Sequence, residues 1–392
     1  MIEYSTLPSI VIVGGSDVDA RLTIMQFLRG KFNFVAAGSS HALSVHFATV
    51  GFPYYFFPMM SGINPPRDAY AFFHLILLFW RLRPDVVHTF DTKPSVWGRL
   101  AARVAGVPIV IGTLPGLGIL YADSRITTRL MRRIYQPLQK LASHFSDMTI
   151  FQNHDDAQQF IDDGVVPQSK SAIVLGSGVR TDVFNPALMC LEDQERLRSE
   201  LGIGNEDVVV MMISRVIRSK GVLEFMRAAE IVREHHPQVR FVLVGPLDED
   251  SIDRLSPKEL AQLTHTVTWL GARQDIPLLL SISSIFVLPS TYREGIPRVL
   301  LESASMGLPI ITTDSPGCNE VVENGVNGFL IPPHDANALA QAILHLAQSP
   351  ELMEQFGTIS RQCAVERFDL SIVAAQTRSI YLQLLARKTS AN

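Results

Sequence analysis

Ten short apolar runs, each closed by a glycine, serine or charged turn and followed by a helical pattern, set the terms for this chain. The first five read SIVIVGG, FNFVAAGS, DVVHTF, VPIVIGT and DMTIFQN; the second five read DVVVMMISR, VRFVLVG, VTWLGA, SIFVLPS and LPIITTD. Near-continuous hydrophobic strands suit a parallel sheet covered on both faces, and strands alternating with helices make βαβ units. Between the two sets lies GSGVRTDVFNPALMCLEDQERLRSELGIGNED, rich in Gly, Asn, Pro and charge, so a domain junction is expected near residues 176–205. The expected class is α/β, with two doubly wound domains of similar size facing across a cleft. Ligands of such sheets bind beyond the carboxyl ends of the strands, and the chemistry-bearing residues should follow strands.

At 392 residues, each half is long enough to bury its own core. Hydrophobic residues make up 47% and charged residues 18%, which places the chain among globular proteins. A net charge of −4 gives no reason to expect nucleic acid as a partner. Cys190, Cys318 and Cys363 are odd in number and widely spaced, which argues against a disulfide framework and fits a reducing, cytoplasmic compartment. MIEYSTLPSIVIVGGS has no basic region before its apolar run and reads as a first strand, with no signal peptide. The longest apolar stretch, Ala69–Trp80, falls short of the roughly 20 apolar residues that span a bilayer.

In the second half, Arg215 and then Lys220-Gly221 follow VVVMMIS and precede a helical pattern. Two cations at a strand-to-helix turn can hold a diphosphate, the arginine as a fork and the lysine as a point charge; two solvated loop cations are the alternative. Glu294 and Glu302 flank EGIPRVLLE, with Pro297 suited to a first helical turn. Glu294 then lies before the helix and Glu302 more than one turn inside it, so they are read as two separate acceptors for hydroxyls. A helix-end charge and a buried, paired carboxylate are the respective alternatives. The backbone N–H groups of Gly295 and Ile296 suit a phosphate at the helix start. Gly317 in DSPGCNE permits close backbone approach, and Asn319 is expected to open a helix. Asp335 is expected to cap the helix after a short strand in NGFLIPP.

In the first half, His88, Asp91 and Lys93 follow the third run and Gly116 lies in TLPGLG after the fourth. These are the acceptor-side candidates, with Lys93 suited to an acceptor phosphate. RITTRLMRRIYQPLQKLASHF, residues 125–145, carries five basic residues and no acidic one, with Ile126, Leu130, Ile134 and Leu138 repeating every four and a break expected at Pro137. Such a helix suits an anionic membrane surface; covering the first sheet is the alternative. The strings Asp17-Val-Asp19 and Asp248-Glu249-Asp250 could ligate a divalent ion, but the second reads as a charged surface loop, and no metal is expected.

In order and spacing, Arg215 to Lys220, YREGIPRVLLE and PGCNEVVENGVNGFLIPP resemble the retaining glycosyltransferases of family four, which have the GT-B fold of two Rossmann-like domains. DVVHTFDTKPSVWGRLAARVAGVP is similar to the acceptor-domain segment of bacterial polysaccharide and lipid-linked oligosaccharide members. GSGVRTDVFNP is similar to their interdomain segment, and RFDLSIVAAQTRSIYLQLLA to a C-terminal helix that returns to the first domain. The resemblance implies an acceptor domain over 1–180, a nucleotide-sugar domain over 181–368 and a returning helix over 369–392. It gives the donor diphosphate to Arg215 and Lys220, the donor sugar to Glu294 beside Gly295–Pro297, and the ribose to Glu302. Gly271, Gly317 and Asn319 complete the donor set. It also implies metal-independent, front-face transfer of a sugar from a nucleotide-sugar, UDP-linked, to a glycan acceptor, lipid-linked, on the cytoplasmic side of the membrane. Relatives often carry a polar residue where this chain has Pro115, and Asp where it has Ser284. A nucleotide-sugar epimerase of the same fold and a non-catalytic nucleotide-sugar-binding subunit are the alternatives.

Overall fold

A computed structural model describes residues 7–60, 62, 64–118, 121 and 126–390, without the side chains of 126 and 127. It divides into two compact units, one holding the chain up to Ser177 and from Ser371 onward, the other Gly178–Leu370.

The first unit is built on a parallel sheet of β1 (Ser9–Val13), β2 (Asn33–Gly38), β3 (Tyr54–Phe56), β4 (Val86–Thr89), β5 (Ile109–Leu114), β6 (Met148–Phe151) and β7 (Ser171–Ile173). Their order, β3-β2-β1-β4-β5-β6-β7, reverses between β1 and β4, the point at which such sheets open to ligands. Alternate residues of β1 face opposite layers. Ile10 and Ile12 join a core with Val373, Ala374, Tyr381 and Leu384 of the Leu370–Thr389 helix. Val11 and Val13 pack with Ala71, Leu75 and Phe79 of the Pro65–Leu82 helix.

The second unit carries a parallel sheet of β8 (Val208–Ile213), β9 (Val239–Val244), β10 (Thr268–Trp269), β11 (Ile285–Leu288), β12 (Ile310–Thr313) and β13 (Gly328–Ile331), ordered β10-β9-β8-β11-β12-β13. Its reversal point lies between β8 and β11, the strands that precede Lys220 and Glu294. Asp335 caps the Ala336–Ala347 helix by accepting the Ala338 N–H at 2.8 Å.

Three local readings differ from the structure. β3 and β7 escape the pattern because each is three residues long, and VTWLGA yields only Thr268–Trp269. The basic helix runs from Ile126 to His144 straight through Pro137, because losing one N–H bond does not outweigh the packing of buried Gln139 and Ala142. Arg125 lies outside the described residues. No described helix is long and apolar enough to cross a membrane.

Candidate active site

The turns after β8 and β11 are stitched together. The Ser219 carbonyl accepts the N–H groups of Thr291 at 2.8 Å and Tyr292 at 3.1 Å. Gly221, at φ +79°, starts the Val222–His235 helix against Pro289, whose carbonyl oxygen would lie 2.1 Å from a Cβ placed there. Only glycine tolerates both the φ and the approach. The stitching brings Lys220 Nζ to 2.5 Å from Glu294 Oε1, an oxygen that also accepts from Ser290 Oγ at 3.0 Å. The Lys220 ammonium lies 5.6 Å from the centroid of the Tyr292 ring.

The turns after β8 and β9 are joined in the same way. Ser214 N–H donates to the Val244 carbonyl and Val216 N–H to the Pro246 carbonyl, both at 2.9 Å. A Cβ on Gly245 would lie 1.8 Å from the Ser214 carbonyl oxygen. Arg215 Nη1 thereby reaches Asp248 Oδ2 at 2.7 Å. The residue read from sequence as part of a solvated loop is the arginine's partner.

The turn after β12 closes on this pair of turns. Gly317, at φ +85°, would bring a Cβ to 1.8 Å from the Gly295 carbonyl oxygen and 2.6 Å from that of Glu294. Cys318 beneath it is buried, and burial, reinforced by the Glu294 charge, pushes its thiol up to about 11. Asn319 does not open a helix. Residues 315–321 form successive turns, with Asn319 N–H donating to the Ser315 carbonyl at 3.1 Å. Asn319 Nδ2 donates to Asp314 Oδ1 at 3.3 Å.

Pro297 stands just outside the Arg298–Ser305 helix as its N-cap, at ψ 121°, and Ile296 before it is buried. Glu302 lies inside that helix, 3.8 Å from Arg298 Nη2, and burial raises its carboxyl above the usual range against the pull of that guanidinium. Gly271, at φ +66° after β10, faces open space, and its carbonyl accepts the Gly245 N–H at 2.7 Å. Nearby Arg273 forks onto Asp275 at 2.8 and 2.5 Å.

In the first unit the acceptor-side candidates separate. His88 is a core residue and not an open contact: Nδ1 lies 2.6 Å from Tyr381 Oη and Nε2 2.7 Å from Thr113 Oγ1. Burial, with the Arg21 charge, holds its imidazole down at about 3. It also walls a cavity of about 40 Å³ with Arg21, Gln152 and Thr377. Lys93 is held within its own unit: it binds Asp68 Oδ1 at 2.5 Å and the carbonyls of Gly62 at 2.6 Å and Met60 at 3.0 Å. Asp91 sits at the reversal point with φ +66°, strained for a non-glycine, and accepts the Gly15 N–H at 2.8 Å. Burial and the neighbouring Asp17 raise its carboxyl. Gly116, at φ +143°, follows β5. Among the described residues no three His, Cys, Asp or Glu side chains group as a metal site would need.

Residues 193–362 match the family model "Glycosyl transferases group 1", and residues 54–153 match "Glycosyl transferase 4-like". The N,N'-diacetylbacillosaminyl-diphospho-undecaprenol alpha-1,3-N-acetylgalactosaminyltransferase of Campylobacter jejuni is 30% identical over 325 residues, covering 82% of this chain and 83% of that protein. The chain belongs to the family-four glycosyltransferases. An Escherichia coli UDP-Gal:alpha-D-GlcNAc-diphosphoundecaprenol alpha-1,3-galactosyltransferase is 28% identical to this glycosyltransferase, over 85% of the chain and 84% of the relative. The fold is shared with a Rickettsia africae glycosyltransferase at TM-score 0.81 and 18% identity, covering 97% of this chain and 99% of that one. It is shared too with Anabaena HepE, solved in complex with UDP, at TM-score 0.79 and 23% identity over 96% and 100%. The glycosyltransferase therefore has the GT-B fold, and its relatives lend no support to an epimerase.

Sequence reasoning missed Asp248, Ser290 and Tyr292. The signal for Asp248 was its place just past the β9 turn, at the same sheet edge as Arg215.

Proposed function

We propose that this glycosyltransferase transfers a hexose from a UDP-sugar to a glycan acceptor carried on undecaprenyl diphosphate, with retention at the anomeric carbon. The relatives from C. jejuni and E. coli are named for diphosphoundecaprenol-linked substrates, and each aligns along more than four-fifths of the chain. The observation that carries the donor assignment is the meeting of Lys220 and Glu294 at the reversal point of the second sheet, with Arg215 on the adjoining turn. Arg215 and Lys220 hold the diphosphate, Glu294 the sugar hydroxyls and Glu302 the ribose. Gly271, Gly295–Pro297, Gly317 and Asn319 shape the surrounding backbone.

In the reaction, the bond from the anomeric carbon to the diphosphate oxygen breaks as the acceptor hydroxyl oxygen bonds to that carbon from the same face. The hydroxyl proton passes to the leaving phosphate oxygen. Catalysis then rests on positioning and on the charge of Arg215 and Lys220, without a metal cofactor.

The acceptor falls to the first unit, with Asp91 and Gly116 at its strand ends. Contact with the cytoplasmic face of the membrane is supported by exposed Tyr70, Phe73, Leu77 and Trp80, spaced along one stripe of the Pro65–Leu82 helix. It is supported also by exposed Leu130, Ile134 and Leu141 among Arg129, Arg132, Arg133 and Lys140 on the Ile126–His144 helix. The test is incubation of the protein with a panel of UDP-hexoses and undecaprenyl-diphosphate-linked monosaccharides, with mass spectrometry of the lipid fraction. A product heavier by one hexose, formed in the presence of a chelator, supports the reading; hydrolysed donor with unmodified lipid refutes it.

A further inference from the structure

The two cations of the donor site differ in how they are held. Lys220 and Glu294 are largely enclosed, at 12% and 16% side-chain exposure, and Ser290 Oγ also donates to the carboxylate oxygen that takes the lysine. Arg215 is half exposed, at 51%, and touches Asp248 through a single nitrogen, leaving most of its fork open. An exposed, single-point ion pair contributes little and is readily exchanged, whereas a diphosphate offers the bidentate geometry and higher charge that a guanidinium prefers. The backbone that brings Asp248 there is held by contacts of its own. The Val216–Pro246 hydrogen bond and the Ser214–Gly245 contact fix the two turns side by side, so the carboxylate stays at the site after it releases the arginine.

We infer that Asp248 is a stand-in for the donor's diphosphate. It holds Arg215 in place before the donor arrives, gives it up to the incoming diphosphate, and remains beside the bound anion as a like charge that favours release of the nucleoside diphosphate product. This rests on the donor-site reading above and adds a residue that sets donor and product affinity through Arg215, without itself touching the reacting atoms.

The test is calorimetric titration with UDP, GDP and ADP of the wild type, Asp248→Asn, Asp248→Ala, Arg215→Ala and the Asp248→Asn/Arg215→Ala double variant. With the nucleotide that the wild type binds, both Asp248 variants are expected to bind about fivefold tighter, the scale of one exposed ion pair. The tightening should shrink at high salt and be clearly smaller in the Arg215→Ala background, where only the like-charge part remains, a coupling that a merely structural role would not produce. Binding to the Asp248 variants equal to or weaker than wild type, with Arg215→Ala still impaired, would overturn the stand-in role and leave the donor site standing. Arg215→Ala binding as well as wild type, or a wild type that binds none of the three, would remove the donor-site reading and this proposal together.

Discussion

Lys220 Nζ and Glu294 Oε1 meet at 2.5 Å across two turns that follow adjacent strands, so the cation expected to take the donor's charge and the carboxylate expected to take its sugar form one unit. Lys220→Ala removes the positive charge and leaves the enclosed Glu294 carboxylate without the lysine's cation. Turnover should fall by about 10²-fold or more, and the melting temperature should drop as well. A Lys220→Met/Glu294→Gln double variant separates the two effects. It should recover most of the stability and none of the turnover, as read by thermal melting beside a transfer assay.

Gly317 and Gly271 both have positive φ, but only Gly317 is pressed against another backbone. Gly317→Ala must push the Glu294–Gly295 backbone aside, so it should lower the melting temperature by several degrees and abolish donor binding. Gly271→Ala meets open space and bears only the conformational cost, about 1 kcal/mol. Equal melting temperatures for the two variants would show that the contact at Gly317 is not tight.

Glu302 gives a pH-dependent prediction. Burial raises its folded carboxyl above the unfolded value, so the fold is favoured relative to the unfolded chain at low pH. That contribution is complete below the unfolded value and is lost as pH rises through the raised one. Glu302→Gln should therefore melt above the wild type at pH 8 and close to it at pH 4. The same variant should bind UDP more weakly and inorganic pyrophosphate unchanged, since only UDP carries a ribose.

His88 works in the opposite direction. Held at about 3 when folded, it takes up a proton on unfolding below about pH 6.5, its ordinary value. Its contribution to stability is complete above that value and is lost as pH falls toward 3, at up to about 1.4 kcal/mol per pH unit. Urea unfolding of His88→Gln between pH 4 and 7 should show a shallower slope than the wild type.

Membrane contact predicts sedimentation with anionic vesicles at low salt. Replacing Leu130 and Ile134 with Asp should abolish it, and leave donor binding in the second unit unchanged. Equal sedimentation of that variant and the wild type would exclude the helix as the contact.

Much of this was legible in the sequence. Strands such as VVVMMI and IITT are long apolar runs whose covering helices follow at once, and glycine at 221 and 317 marks turns where backbones touch. The long-range pairings were not legible. Within PLDED only its place just past the β9 turn sets Asp248 apart from the acidic residues beside it, and its partner lies 33 residues away. His88 and Lys93 look like loop residues at a strand end. Their partners are Tyr381 and Asp68, at separations of 293 and 25 residues. Local spacing shows where a turn comes, and tertiary packing decides which side chain fills it.

On the proposed function, the second unit holds a nucleotide-sugar through Arg215, Lys220, Glu294 and Glu302. The deciding experiment is thermal melting of the wild type and Lys220→Ala with UDP, GDP, ADP and their common sugar conjugates. The wild type should melt higher with the uridine series, through a stabilisation of about 2.7 kcal/mol at a hundredfold excess over Kd, and the variant should shift little or not at all. No rise with any nucleotide, or equal rises for the two proteins, would contradict it.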